Sequence, residues 1–315
     1  MTDLAPRETE SLPGETARIP GEAVAAVSPW RRARRSLWRA KWPVLALVLL
    51  FAITFAAVFG PSVAPRDPNR QNIIMRLKQP MQTDRRGLNT FVMGTDGLGR
   101  DVFSRLLYGA RVSLTVGFVA VLVGGSLGTL LGLLAGYFGG WIDSLIMSVA
   151  DIQLAFPFIL LAIMFLLVLG PGVVNLILAL GIGQWVTYAR IARGQTISQR
   201  EKEYVEAAQA LGQGHAGILL TGILPNILAP LIIIASFNVA SVILAEAALS
   251  FLGLGVPPTV PSWGGMLADS RDQLLAGRWW LAVFPGAAIM LTVLSFNILG
   301  DWLRDFLDPR LTAVG

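Results

Sequence analysis

The sequence has 315 residues, 54% of them hydrophobic and 14% charged, with a formal net charge of +5 and a mean hydropathy of +0.62. One water-soluble core would leave much of that apolar surface uncovered, so lipid is the expected solvent, and the modest positive charge lies beside apolar runs rather than in a nucleic-acid patch. With no cysteine and a single histidine, His215, the chain excludes disulfides, thiolate metal sites, cysteine nucleophiles, ordinary zinc clusters and His-paired triads, so neither a metal site nor a catalytic residue is expected.

Residues 1–29, rich in Pro, Gly, Glu and Ala and without helical periodicity, read as a mobile cytoplasmic tail. In WRRARRSLWRAKW, which follows, Trp30, Ala33, Leu37 and Trp38 share one helical face while Arg31, Arg34, Arg35 and Arg39 occupy the rest. That pattern predicts a basic helix over 30–41 lying in the headgroup layer. A plain charged flank of the first span is the simpler reading, and both place this end on the cytoplasmic side. A bilayer takes about 20 mostly apolar residues to cross, and six segments qualify. The first is 42–60. Ser62, Val63 and Ala64 imitate a cleavage site, but the long preceding segment and the following Pro65 favour a retained anchor.

The loop 61–111, placed outside by this topology, contains GTDGLGRD, whose Gly94 and Gly99 have the glycine spacing of a phosphate-binding loop. Such a loop needs Lys and Ser/Thr next, and here Arg100 and Asp101 follow. No lysine of the chain follows a glycine, so no nucleotide site of this type is expected. The segment instead predicts a turn at Asp96 and Gly97 and then a helix capped by Asp101, with Arg105 in reach of its carboxylate.

The core, 112–302, holds five further spans. The second lies within Val112–Ile142, where Gly124, Gly128, Gly132, Gly136 and Gly140 recur every fourth residue and predict close helix packing, the stripe winding slowly enough to meet more than one neighbour. Gly170, Pro171 and Gly172 separate a third span, beginning near Leu145, from a fourth that ends near Ala189. The fifth covers about 227–254 and the sixth 279–300, before a cytoplasmic tail over 303–315. Asp151, about two turns into the third span, and Glu246, towards the outer end of the fifth, are candidate pathway residues, since charge at such depth is costly; interhelical pairing is the plainer account. Gln184, Asn238 and Asn297 add hydrogen-bonding capacity.

Between the fourth and fifth spans, residues 198–225 are polar and broken by glycine. Ser198 and Glu201 suggest a capping box, Tyr204, Ala207, Ala208 and Leu211 would share one face of a short helix, and Gly212 would end it. A second short helix would run from about His215 to Gly222, with Pro225 stiffening the start of the next span. Small alanines beside Glu203 and Glu206 suit docking into a groove on another protein. A solvated connector with a Lys202–Glu206 salt bridge accounts for the same residues equally well.

Glu206, Ala207, Ala208 and Gly212, followed by Ile223, Leu224 and Pro225, resemble the EAA loop of ABC-transporter permease subunits. MGTDGLGRDVFSRLLYGARVSL at 93–114, DIQLAFP at 151–157 and EAALSFLGLGVPPTVPSWGGML at 246–267 resemble the C-type subunit of the dipeptide, oligopeptide and nickel importers. The general loop pattern has Ile two residues before Leu224, where Gly222 stands; Ile223 matches the shifted position of this subfamily. The resemblance implies an all-α membrane protein of six transmembrane helices with the type I importer permease fold and the N-terminal interfacial helix. It also implies a bacterial or archaeal plasma membrane, a second related permease, two ATPase subunits that bind ATP and Mg, and an extracytoplasmic substrate-binding protein. No cofactor is expected on this chain itself. ATPase coupling would fall to Glu203, Glu206, Ala207, Ala208, Gly212, Ile223, Leu224 and Pro225. Cargo stays open among dipeptides, longer peptides, glutathione, nickel chelates and oligosaccharides. An ion-coupled secondary transporter using Asp151 is the alternative, though no internal repeat supports one. An intramembrane aspartyl protease would need a second deep carboxylate, and Asp301 lies at the wrong end.

Overall fold

A computed structural model of the chain describes residues 41–83 and 90–307. The tail 1–29, all but the last residue of the basic segment 30–41, and the chain beyond 307 lie outside the described residues. Among the described residues, five helices are by themselves long and apolar enough to cross a membrane, and a pair bent by 90° brings the number to six if it is one span.

Helix α1, Lys41–Val63, is apolar all round. It turns small residues, Ala46, Ala57 and Gly60, inward and leaves a ladder of Phe51, Phe55 and Phe59 exposed. After α1 the chain folds back over the ends of the bundle through a short antiparallel pair, β1 Gln82–Thr83 and β2 Thr90–Phe91. Residues 96–99 form the expected turn: Gly99 N–H donates to the Asp96 carbonyl at 3.0 Å, and the Asp96 carboxylate takes the N–H groups of Leu98 and Arg100.

Helix α2, Val102–Phe138, starts well before the apolar run at Val112, because Asp101 caps it by accepting from Ser104 N–H at 2.9 Å and nothing breaks the chain between. The predicted Asp101–Arg105 pair does not form. Arg105 turns to Asp96 and Asp269, at 3.7 and 3.4 Å, and Asp101 lies 3.5 Å from Arg66. At 37 residues α2 is about 55 Å long, well beyond a hydrocarbon core of roughly 30 Å.

The chain then continues through α3, Gly140–Leu154, and α4, Phe158–Leu169, whose axes turn by 90° at residues 155–157, into α5, Val173–Arg200. A Cβ at Gly124, Gly128, Gly132 or Gly136 would strike the backbone carbonyl of Gly181, Trp185, Ala189 or Arg193 respectively. The glycine stripe therefore meets one neighbour, α5, and not several. Both helices present rows spaced by four, which interlock at a crossing angle that lets the winding stripe follow its partner. Gly140, the last of the series, lies outside the contact because α2 ends at Phe138 and Gly140 opens α3.

Helix α5 runs three turns past the predicted Ala189, carrying Arg190, Arg193 and Arg200. Ser198 is thus inside the helix and the Ser198–Glu201 capping box is not formed. Next come α6, Glu203–Ala210, and α7, His215–Phe251, a continuous 37-residue helix where two elements were expected. Pro225 brings no N–H to serve the carbonyl four residues back, and the chain meets this with a π-helical stretch over Ile218–Ile223. The predicted loop after α7 contains α8, Trp263–Leu274, capped by Ser262. Helix α9, Trp280–Leu307, closes the bundle and extends beyond the predicted Gly300.

Candidate functional site

The polar elbow is built from α6 and the first turns of α7. Two glutamates, Glu203 and Glu206, sit in the first turn of α6, where the partial positive charge of a helix N-terminus favours them. Gly212, at φ +77°, ends the helix. Gln213 N–H reaches back to the Ala208 carbonyl at 3.0 Å and Gly212 N–H to Gln209 at 2.9 Å, a Schellman closure that only a residue at ease with positive φ completes without strain.

Burial divides α6 into two sides. Val205 is fully buried and Ala208 half-buried, and these hold the helix against the bundle. Glu203, Glu206, Ala207 and Ala210, spaced i, i+3, i+4 and i+7, form the opposite, exposed stripe. Of the predicted face, Tyr204 and Leu211 flank this stripe, and Leu211 is 87% exposed. No ion pair joins Lys202 to Glu206 among the described residues. The elbow thus shows outward a small-residue surface edged by two carboxylates and an unsupported leucine.

Both ends of the elbow are pinned. Tyr137, at the end of α2, shares a hydrogen bond of 2.9 Å with His215 Nδ1, and the His215 ring stands edge-on to Tyr137 and Phe138. Arg200 at the end of α5 donates to the Tyr137 carbonyl at 2.9 Å. The Tyr204 hydroxyl bridges Gln199 and the Gly222 carbonyl, at 3.0 and 3.5 Å. Motion of the elbow is thereby tied to α2, α5 and α7 together. The sequence reading missed Tyr137, Tyr204 and His215 in this role; the pairing of Tyr137 and His215 spans 78 residues, and no local pattern announces it.

The remaining predicted coupling residues separate. Pro225 is exposed and Leu224 half-buried, but Ile223 is fully buried in the core, so it anchors α7 and offers no surface to a partner. Glu246 is enclosed as well. It is fully buried between α2, α7 and the start of α8, accepting from Ser113 Oγ at 3.0 Å and Ser250 Oγ at 2.8 Å, while Trp263 N–H donates to Ser113 Oγ. A carboxyl enclosed this way ties the start of α8 to α2 and α7. Asp151 is exposed and pairs with Arg190 at 2.5 Å. Among the described residues no group of three or more His, Asp or Glu is placed to hold a metal ion.

The described residues thus form a bundle of membrane-length helices with a pinned polar elbow at one end. The chain belongs to the family described as the binding-protein-dependent transport system inner membrane component, whose profile matches residues 128–313. Residues 28–80 match the N-terminal TM domain of oligopeptide transport permease C. The chain is 44% identical over 288 residues to the dipeptide transport system permease protein DppC of Alkalihalophilus pseudofirmus, covering 91% of this chain and 92% of that protein. It is 42% identical to the di/tripeptide transport system permease protein DppC of Pseudomonas aeruginosa, covering 90% and 93%. To the glutathione transport system permease protein GsiD of Pectobacterium atrosepticum it is 40% identical, covering 91% and 93%. Among solved structures it is similar in fold to a chain of the MetNI methionine ABC transporter in an inward-facing conformation, with TM-score 0.52 and 18% identity over 65% of this chain and 97% of that one. The chain is a multi-pass permease subunit of the ABC importer family.

Proposed function

We propose that this subunit forms half of the translocation pathway of an ATP-driven peptide importer, taking dipeptides or short oligopeptides. It pairs with a second, related permease in a bacterial or archaeal plasma membrane with both termini cytoplasmic. An extracytoplasmic binding protein delivers the cargo. Two ATPase subunits hold the ATP and Mg; this chain binds no cofactor. Glu203, Glu206, Ala207, Ala208, Gly212, Leu224 and Pro225 form the coupling surface, with Ile223 as its buried anchor. An ATP-bound partner that favours one arrangement of the elbow shifts the permease only by its differential affinity for the two arrangements. Peptide cargo is supported by the names of the relatives, and family membership favours ATP over an ion gradient as the energy source.

The observation that carries the coupling assignment is the outward stripe of α6, joined through Tyr137, Tyr204 and His215 to three long helices. Replacing Gly212 by Val strains the turn at φ +77°, at a cost of about 1–3 kcal/mol. The expected outcome in proteoliposomes holding the whole complex is loss of peptide uptake together with loss of transport-linked ATP hydrolysis. Uptake and hydrolysis at wild-type rates would refute the lever. In the cysteine-free chain, Ala207→Cys should cross-link to the ATPase subunit alone.

A further inference from the structure

Two independent features meet on one face of the molecule, at the junction of α3, α4 and α5. The first is the break. Ala155 and Phe156 N–H groups serve the carbonyls of Asp151, Ile152 and Gln153, Pro157 has no N–H, and although the Pro157 carbonyl accepts from Leu161 N–H, those of Leu154, Ala155 and Phe156 find no backbone donor among the described residues. Residues 154–157 are all exposed. Broken backbone open to hydrocarbon is not tolerated at membrane depth; it occurs where protein or water covers it. The second feature is charge. Side chains of Asp151 and Arg190 are 64% and 50% exposed on the same side. Gln153, just before the break, donates to the Gly183 carbonyl near the middle of α5, and Arg190 lies two turns from there towards the elbow. Charge exposed there calls for cover by water or by a partner protein.

Two ion pairs join α3 to α5, and they differ. Arg193 grips Asp143 through two contacts, at 2.5 and 2.6 Å, with side chains 36% and 20% exposed. Arg190 holds Asp151 through one contact of 2.5 Å, leaving the other carboxylate oxygen without a hydrogen bond from the described residues. The first pair braces the helices. The second is open to exchange, and a cleft lined by Met147, Asp151, Arg190 and Arg193 lies over it.

We propose that this face is the wall of a water-filled passage and that Asp151 and Arg190 form a two-point site for a zwitterionic cargo, the carboxylate receiving its ammonium end and the guanidinium its carboxylate end. A free peptide carries both charges, so it replaces the internal pair without leaving either partner uncompensated, whereas a capped peptide offers neither. The site rests on the peptide reading above and gives that reading a chemical basis at the level of the chain termini.

The test uses the assembled complex without ATP, with Ala155→Cys in this cysteine-free subunit, and Phe156→Cys as a second variant should the first fail to assemble. A charged, membrane-impermeant methanethiosulfonate reagent reacts with thiolate, so labelling of the subunit should be at least about tenfold faster than at Phe51→Cys on the apolar face of α1. Dialanine should slow labelling and N-acetyl-dialanine amide should not. Asp151→Asn and Arg190→Gln should each remove the protection by dialanine, scored as the ratio of the rates with and without dialanine in the same variant. Labelling no faster than at Phe51→Cys overturns the wet passage. Equal protection by both peptides, or by neither, overturns the zwitterion site. The peptide reading fails separately, if the wild-type complex with its binding protein imports no peptide.

Discussion

Two glycines three residues apart on α2 show how finely position decides consequence. A Cβ at Gly128 would press into the backbone of α5 at Trp185 and Ala189, whereas one at Gly125 would meet the Tyr188 ring at an ordinary 3.4 Å. Gly128→Ala should therefore force α2 and α5 apart, at about 1–3 kcal/mol, and Gly125→Ala should be close to neutral. Thermal unfolding of the purified complex checks this: a clear fall in midpoint for the first and an unchanged midpoint for the second. Glycine itself is legible in the sequence at both positions. Which of them touches a carbonyl depends on the rotation of a helix whose closest contacts lie nearly sixty residues away, from Gly124 to Gly181 and from Gly128 to Trp185.

At the scale of the element, the elbow behaves as one unit because its few bonds are placed at its ends. His215→Ala removes the bond to Tyr137 and two edge-on ring contacts, a loss of about 1–2 kcal/mol. The expected outcome is faster amide hydrogen exchange over 203–222 with exchange in α9 unchanged; uniform exchange across both would show that the bond has no local role. The short α6 and its glycine stop follow from local chemistry, and both were readable. Ser198 followed by Glu201 suggested a helix start, yet α5 continued through it. Packing against α2 outweighed that local signal, as buried Thr196 against Gly136 shows.

Across the whole molecule, the segments that do not span are bound to the bundle by polar bonds buried beneath them. Arg100 joins Asp96 at 2.6 Å to Asp269 of α8 at 2.9 Å, and Glu246 holds the start of α8 through Ser113. Arg100→Gln removes the nearer of two guanidinium partners of the buried Asp96 and leaves Arg105 at 3.7 Å, so the cost stays below the roughly 3–5 kcal/mol of a buried charge left with no partner. Limited proteolysis should then cut within 61–101 at protease levels that spare the wild type, while the spanning helices stay intact. Protection equal to wild type would mean that Trp263 and Trp280, buried beside this cluster, suffice to hold the segment.

The number of crossings, the break at residues 170–172, the cap at Asp101, the stop at Gly212 and the family were all present in the sequence, because each depends on apolar length, on backbone preference or on a contiguous motif. The partners of the charges were not. Asp151 could be read as a deep carboxylate, but its pairing with Arg190, the burial of Glu246 among serines, the withdrawal of Ile223 into the core and the single neighbour of the glycine stripe were decided by tertiary structure. Each depends on how one helix is rotated and crossed against another distant in the chain, and apolar runs that are hydrophobic all round carry no record of that rotation.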